Sequence, residues 1–300
     1  MKKIFCYTIS FFFINFVASQ NVLLQKLNEL PTYSLRKMQN EKSDWLLGKV
    51  KYASEVFKSQ NGKDLIVTNG LLSREFRVQP YFACFSFRNL KTPKEMIRAI
   101  QPEAQIEING ASYNVGGVKG QFEYAYMKYD WLEKFTGDSE AFQLKNFEIK
   151  NIQTRFPWEA KRWVMDKKWP PKGMEIIFYF DAPDIHTAGI NVAVHYEIYD
   201  DIPLMSKWIT VENNSDKEIT INSFKNEILS VVEEESVVGG DGHLVTPHIN
   251  VQSDYSFGDM TSKYADHTTY WLPDSLYTSQ VNYNLQAPCL LGSKPPIGPA

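Results

Sequence analysis

Four apolar–polar alternating runs follow one another between Met174 and Glu235. They are "MEIIFYFDAPD", "GINVAVHYEIYDD", the middle of "YEIYDDIPLMSKWITVENNSDKEITINSF", and "KEITINSFKNEILSVVEEE". A period of two sends successive side chains to opposite faces of a strand. The breaks between the runs are rich in Asp, Pro, Asn and Ser, which end strands and make turns. Within residues 196–224, Ile202, Leu204, Trp208, Ile209 and Val211 are apolar, whereas Asn213, Asn214, Ser215 and Asp216 form a tip that no strand interior accepts. This stretch reads as adjoining strands joined by a turn and a polar tip. Such a series is the pattern of antiparallel sheets packed face to face. No segment keeps a helical period beyond a few turns, no strand–helix–strand alternation appears, and no repeat of fixed period is present. The fold class expected is all-β, a large antiparallel sandwich with long loops and short helices.

The remainder of the chain fits this class. "DLIVTNGLLSREFRV" holds two β-rich runs joined at Asn69-Gly70, and "AQIEINGASYNV" repeats the arrangement at Asn109-Gly110. Asn-Gly between alternating runs is the strongest short hairpin signal, because tight hairpin turns need positive φ. In "YFACFSFRNL", Phe82, Cys84 and Ser86 share one face and Ala83, Phe85 and Phe87 the other, which predicts a central strand buried on both sides. From Tyr113 to Gly173 the pattern loosens. One short helix is expected around Asp130 to Phe135, and "RFPWEAKRWVMDKKWPPKG" is read as long loops laid over a sheet, a lid more than a spacer. Leu23, Leu24, Leu27 and Leu30 have near-helical spacing before Pro31.

The first residues read as a targeting segment. Lys2 and Lys3 precede an apolar run from Ile4 to Val17, and Val17-Ala18-Ser19 supplies small residues of the kind a signal peptidase reads, predicting cleavage before Gln20. The run is shorter than the ~20 residues of a spanning helix. Cys6 sits inside it with no small-residue box in front, so it is not read as a lipid-attachment site. The expected protein is secreted or periplasmic, with no membrane segment left after cleavage. The chain thus divides into a signal peptide at 1–19, a partly helical lead-in at 20–60, the sandwich at 61–292, and a linker or interrupted end at 293–300. Cleavage removes two of the 32 basic residues and none of the 35 acidic ones, and the remaining Lys and Arg are scattered. Nucleic acid is therefore not an expected partner, since it needs a concentrated basic face. Cys84 and Cys289 remain; either they pair in an oxidising compartment or they are buried thiols, and their isolation favours thiols.

Chemistry-bearing motifs are sparse. Gly116-Gly117 and Gly239-Gly240 lack the context of a phosphate loop, and neither a GxSxG elbow nor an HExxH helix occurs. No cofactor and no metal are expected: Glu233, Glu234 and Glu235 read as a solvated strand end, and consecutive strand residues point to opposite faces, which opposes a shared cation. His195, placed beside Val192 or Val194 according to register, reads as a satisfied sheet histidine. His243 and His248 lie in a turn-rich segment. The densest mixture of aromatic, acidic and imidazole groups is "QSDYSFGDMTSKYADHTTYWLPDSLYTSQVNY". There Asp254, Tyr255, His267, Trp271 and Asp274 are the candidate substrate-binding residues, because aromatic rings offer flat faces to sugar C–H groups while carboxylates and imidazoles bind hydroxyls. The competing reading is an aromatic-rich loop packed on the sheet. No catalytic residue is assigned.

Two of these stretches carry a resemblance. "DLIVTNGLLSREFRV" followed by "FRNL", and "VHYEIYDDIPLMSKWITVENNSDKEITI" with its Tyr-x-x-Tyr-Asp-x-x-Pro start, resemble the amino-terminal domain of alpha-galactosidase-like glycoside hydrolases of family 36 and relatives. The resemblance covers roughly Asp64 onward and implies a galactose-mutarotase-like supersandwich. It implies carbohydrate as partner, and a following (β/α) barrel that carries the catalytic aspartates. No barrel units are present in the sequence, so neither catalytic residue is transferred. The chain reads as the non-catalytic sandwich of such a hydrolase; the alternatives are a stand-alone carbohydrate-binding module and an epimerase of the mutarotase kind using His195 and His267.

Overall fold

The computed structural model describes residues 22–34, 44–48, 50–92, 94–121, 127–159, 168–231, 270–273 and 283–290. The first sheet runs through β1 (Glu55–Lys58), β2 (Asp64–Thr68), β3 (Leu72–Arg77), β4 (Ala83–Asn89) and β5 (Lys94–Glu95), hydrogen-bonded in that order. Next come β6 (Ile97–Ala99), β7 (Ala104–Ile108) and β8 (Ala111–Val115), then a two-stranded ribbon of β9 (Val118–Lys119) and β10 (Thr136–Gly137). A four-stranded sheet follows in plain sequence order: β11 (Gln143–Asn151), β12 (Gly173–Asp181), β13 (Ile190–Tyr199) and β14 (Met205–Asn213). The chain then returns to β7 as β15 (Ile221–Val231). With β16 (Tyr270–Pro273) and β17 (Tyr283–Leu290) it completes a sheet ordered β16-β17-β15-β7-β8, to which β6 adds at the end of β15. Every ladder is antiparallel. Among the described residues, helix is confined to 22–29 and a 3₁₀ segment at Tyr129–Lys134. The protein is an all-β antiparallel sandwich.

Both Asn-Gly hairpins form. At β7–β8, Ile108 faces Ala111 across two residues whose φ angles are both positive, 51° at Asn109 and 81° at Gly110. The inner faces of the first and four-stranded sheets meet through rings. Phe178 lies 4.9 Å from Phe76 and 4.7 Å from Phe82, with Phe180 and Tyr196 beside them. Ile106, Ile108 and Val115 of the third sheet join the same cluster, and so do Leu23 and Leu27 of the 22–29 helix. β4 is buried on both faces, as its sequence requires, but for a reason of layering. Phe82 and Cys84 face the main core, while Ala83 and Phe85 face a second cluster closed by Leu132 and Phe135 of the 3₁₀ segment and its end. In strand order β4 has only the two-residue β5 beyond it.

Two expectations on strands are corrected. The stretch between Tyr113 and Gly173 contains β11, a nine-residue strand. Its alternation is hidden by a bulge: Leu144 pairs with Phe180 and Asn146 with Tyr179, so Lys145 is an extra residue. The strand after the polar tip does not adjoin β14. β15 is captured by the β7–β8 hairpin, where Asn109 N–H donates to the Thr220 carbonyl at 2.8 Å and Gly110 N–H donates to Asn222 Oδ1 at 2.9 Å.

Between the sheets lies a buried ionic network. Arg74 donates to both oxygens of Glu227 at 2.8 and 3.1 Å, and Lys207 reaches Glu227 at 2.9 Å and Glu103 at 3.2 Å. Tyr196 hydroxyl donates to Glu103. Two cations balance two carboxylates, so these groups tie β3, β14 and β15 together. Cys84 is a buried free thiol receiving a hydrogen bond from Arg74 Nε at 3.2 Å.

Candidate functional site

The four-stranded sheet turns one face to the core and the other outward. On β13, Val192, Val194, Tyr196 and Ile198 point inward, leaving Asn191, Ala193, His195, Glu197 and Tyr199 on the outer side. His195 therefore lies opposite both Val192 and Val194. Pairing sets the outward residues in rows across the strands. One row is Glu148, Ile177, His195 and Trp208; the next is Lys150, Glu175, Glu197 and Ser206. An outward sheet face is ordinarily a loose polar surface. This one holds two carboxylates almost wholly removed from solvent, at 6% exposure for Glu175 and 2% for Glu197.

Each carboxylate is committed to a cation or ring. Glu175 Oε1 lies 2.8 Å from His195 Nδ1, and Lys150 approaches its other oxygen at 3.5 Å. Burial lowers the His195 pKa, with help from the Lys150 and Arg155 charges, although the Glu175 partner opposes the shift. The neutral ring donates Nδ1–H to Glu175, because a carboxylate only accepts, and Nε2 accepts the Thr210 hydroxyl at 3.1 Å. Carboxylate, imidazole and hydroxyl are connected here as they are around an activated nucleophile. Both ring nitrogens are thereby partnered. The expectation of a satisfied sheet histidine holds.

Two groups lie against the Trp208 ring. The His195 ring stacks on it at 4.7 Å and 12°, and the Arg155 guanidinium lies 3.9 Å from the indole centre. Arg155 is also bidentate on Glu197, Nε to Oε1 at 3.2 Å and Nη2 to Oε2 at 2.9 Å. Tyr199 hydroxyl donates to Glu197 Oε2 at 2.7 Å and sits 2.8 Å from Ser206 Oγ. Burial, and then this bond to a carboxylate, raises the Tyr199 pKa. Beyond Arg155 the chain lays an aromatic shelf: Phe156 and Trp158 pack on Trp169 at 4.9 and 5.4 Å, with Trp169 Nε1–H donating to the Phe156 carbonyl. Phe156 and Trp158 are 46% and 37% exposed. The site thus sets flat apolar faces beside carboxylate and hydroxyl groups held by strands. Arg155 and Glu197 escape sequence reasoning, because they meet across 42 positions through an irregular segment. The His195–Trp208 pair was legible in principle, since a hairpin turn at 200–204 sets these two residues opposite each other.

Of the residues expected to bind sugar, Asp254, Tyr255, His267 and Asp274 lie outside the described residues, as do His243, His248 and the Glu233–Glu235 run. Trp271 is in β16, where its backbone pairs with Leu285. Among the described residues no cluster of His, Cys, Asp and Glu could hold a metal ion. No helix of the described residues is long and apolar enough to cross a membrane, and residues 4–17 lie outside that set. No protein-family model matches the chain, and comparison with curated proteins finds no match.

Proposed function

We propose that this chain is a secreted carbohydrate-active protein, the non-catalytic sandwich of an alpha-galactosidase-like glycoside hydrolase, and that it binds sugar on the outward face of β12–β14. One observation carries the reading: the loop-borne Phe156–Trp169–Trp158 shelf runs into the strand-held Trp208, Glu197 and Tyr199 cluster. Aromatic faces receive the C–H side of a pyranose, and the carboxylate and hydroxyls receive its O–H groups. Support for the hydrolase context comes from the resemblance of "DLIVTNGLLSREFRV" and "VHYEIYDDIPLMSKWITVENNSDKEITI". In that context the chemistry belongs to a barrel, and the groups found here bind and orient. Asp254, Tyr255, His267, Trp271 and Asp274 are proposed as further sugar contacts.

Calorimetric titration of residues 20–300 with galactosides and plant oligosaccharides tests the reading. Binding is expected, weakened by Trp158→Ala and Trp169→Ala at unchanged melting temperature. Trp271→Ala in the same titration reports on the second group of contacts. Absence of binding to every sugar, by the wild type and by Arg155→Ala alike, removes the proposal.

A further inference from the structure

Arg155 is an unusual occupant of its place. Its guanidinium carbon lies over the Trp208 ring, 3.9 Å from the centre, and the group presents two N–H donors to the two oxygens of a buried carboxylate. Without that side chain there remains an indole ring stacked with His195, with Glu197 and the Tyr199 and Ser206 hydroxyls next to it. A planar fork of two donors over an aromatic ring is matched closely by one class of neutral molecule. A pyranose stacks its C–H face on indole while two hydroxyls on adjacent carbons donate to both oxygens of one carboxylate.

The holder of Arg155 is also suited to release. Among the described residues, no backbone–backbone hydrogen bond anchors positions 153–159. The segment is held by the Arg155 contacts, by the Trp169 bond to the Phe156 carbonyl and by the packing of Phe156 and Trp158 on Trp169. Arg155 itself is 37% exposed, so its charge reaches water by rotation of the side chain without crossing the core. Charge-assisted bonds from Arg155 to Glu197 hold it in place, whereas burial of the carboxylate makes an empty site unfavourable. The site is therefore filled in either state, by Arg155 or by a ligand that supplies both donors.

We infer that Arg155 is an internal stand-in for a vicinal diol, and that an uncharged pyranoside with two adjacent free hydroxyls displaces it from Trp208 and Glu197. The inference rests on the sugar-binding reading above and names the ligand class of that site. The shelf of Phe156, Trp158 and Trp169 adjoins the seat and receives the next residue of an oligosaccharide. Specificity follows from Glu197. Oε2 keeps its Tyr199 donor, so a ligand that lacks the hydroxyl facing Oε1 leaves that buried oxygen unpaired, which is costly, and a uronate places a second negative charge beside it.

The test uses residues 20–300, calorimetry, and methyl galactoside, methyl mannoside, their monodeoxy analogues and galacturonate as probes. If Arg155 holds its seat most of the time, apparent affinity is reduced by the fraction of open sites. Arg155→Ala is then expected to bind the best methyl glycoside at least about tenfold more tightly than wild type. Arg155→Lys, which keeps the charge and loses the fork, is expected to fall between the two. Glu197→Gln is expected to lose about tenfold or more in the Arg155→Ala background, as is the probe missing one hydroxyl of the pair. Melting temperature and near-ultraviolet circular dichroism check each variant's fold. If folded Arg155→Ala binds no better than wild type, the inference is overturned. Should binding meanwhile persist and depend on Trp158 and Trp169, the carbohydrate reading stands without it. Absence of sugar binding by wild type and Arg155→Ala alike removes both.

Discussion

Arg74 shows how far single residues determine this fold. It is a cation at 3% side-chain exposure, held by Glu227 and stacked near Tyr196 at 4.9 Å and Phe87 at 5.1 Å. Burial alone would raise the Glu227 pKa, but the Arg74 and Lys207 charges reverse the effect and lower it to about 2. A carboxylate with a depressed folded-state pKa contributes stability that is present above its unfolded value of 4.5 and lost as pH falls toward 2. Thermal melts from pH 6 down to about pH 2 are expected to show a steep decline below about pH 4.5, flattened in Glu227→Gln. A wild-type melting temperature that does not change across that window contradicts the account. Arg74→Met is expected to cost about 3–5 kcal/mol, since it strands a buried carboxylate, and urea unfolding measures it. The same network governs Cys84. Burial pushes its thiol up to about 12 despite the nearby Arg74. Peptide mapping after alkylation at pH 8 is expected to find Cys84 unmodified in the folded protein and modified after denaturation. None of these partners was readable from the sequence, because an alternating strand fixes which face a residue takes and not which distant strand faces it.

The strands show the reverse. Period and turn chemistry were sufficient for β12, β13 and β14, and for both Asn-Gly hairpins, since each depends on contacts a few residues apart. β11 was hidden because one extra residue at Lys145 shifts its apolar positions from Leu144 to Phe147 and Ile149. The destination of β15 was hidden too, because a polar tip ends one strand without fixing the partner of the next. One small residue secures the start of the central hairpin. A Cβ on Gly173 would stand 2.2 Å from the Ile198 carbonyl oxygen and 2.8 Å from Ile152 Cδ1. Both neighbours are fixed, one by the β12–β13 ladder and the other by burial. Gly173→Ala is therefore expected to lower stability by about 1–3 kcal/mol, the range for overpacking a filled site. Hydrogen exchange should localise the loosening to the Gly173–Tyr199 end of that ladder. Exchange that stays uniform and slow there contradicts the steric argument.

For the whole molecule, the decisive matter is how the amino-terminal segment joins the sandwich. Its leucine spacing was legible and its role was not, because an amphipathic helix of this length looks the same whether it is docked or free. In the fold, Leu27 is fully buried and Leu23 nearly so, both within the cluster shared by the three large sheets. Lys26 reaches over the neighbouring strand to donate to Asn146 Oδ1 at 2.8 Å and the Phe147 carbonyl at 3.2 Å. The first sheet also begins at Glu55, within the stretch read as lead-in. The 22–29 helix, β1 and the sandwich therefore share one core, and unfolding should be one event. Leu27→Ala is expected to cost about 2–5 kcal/mol, the range for a leucine cut out of a packed interior. That loss should appear as a shift of the single transition, seen alike by far-ultraviolet circular dichroism and tryptophan fluorescence. The described tryptophans lie outside the helix, at positions 45, 131, 158, 169, 208 and 271, so fluorescence reports on the sheets and loops. A separately docked helix would leave the fluorescence transition unmoved by Leu27→Ala. A shared core moves both signals by the same amount.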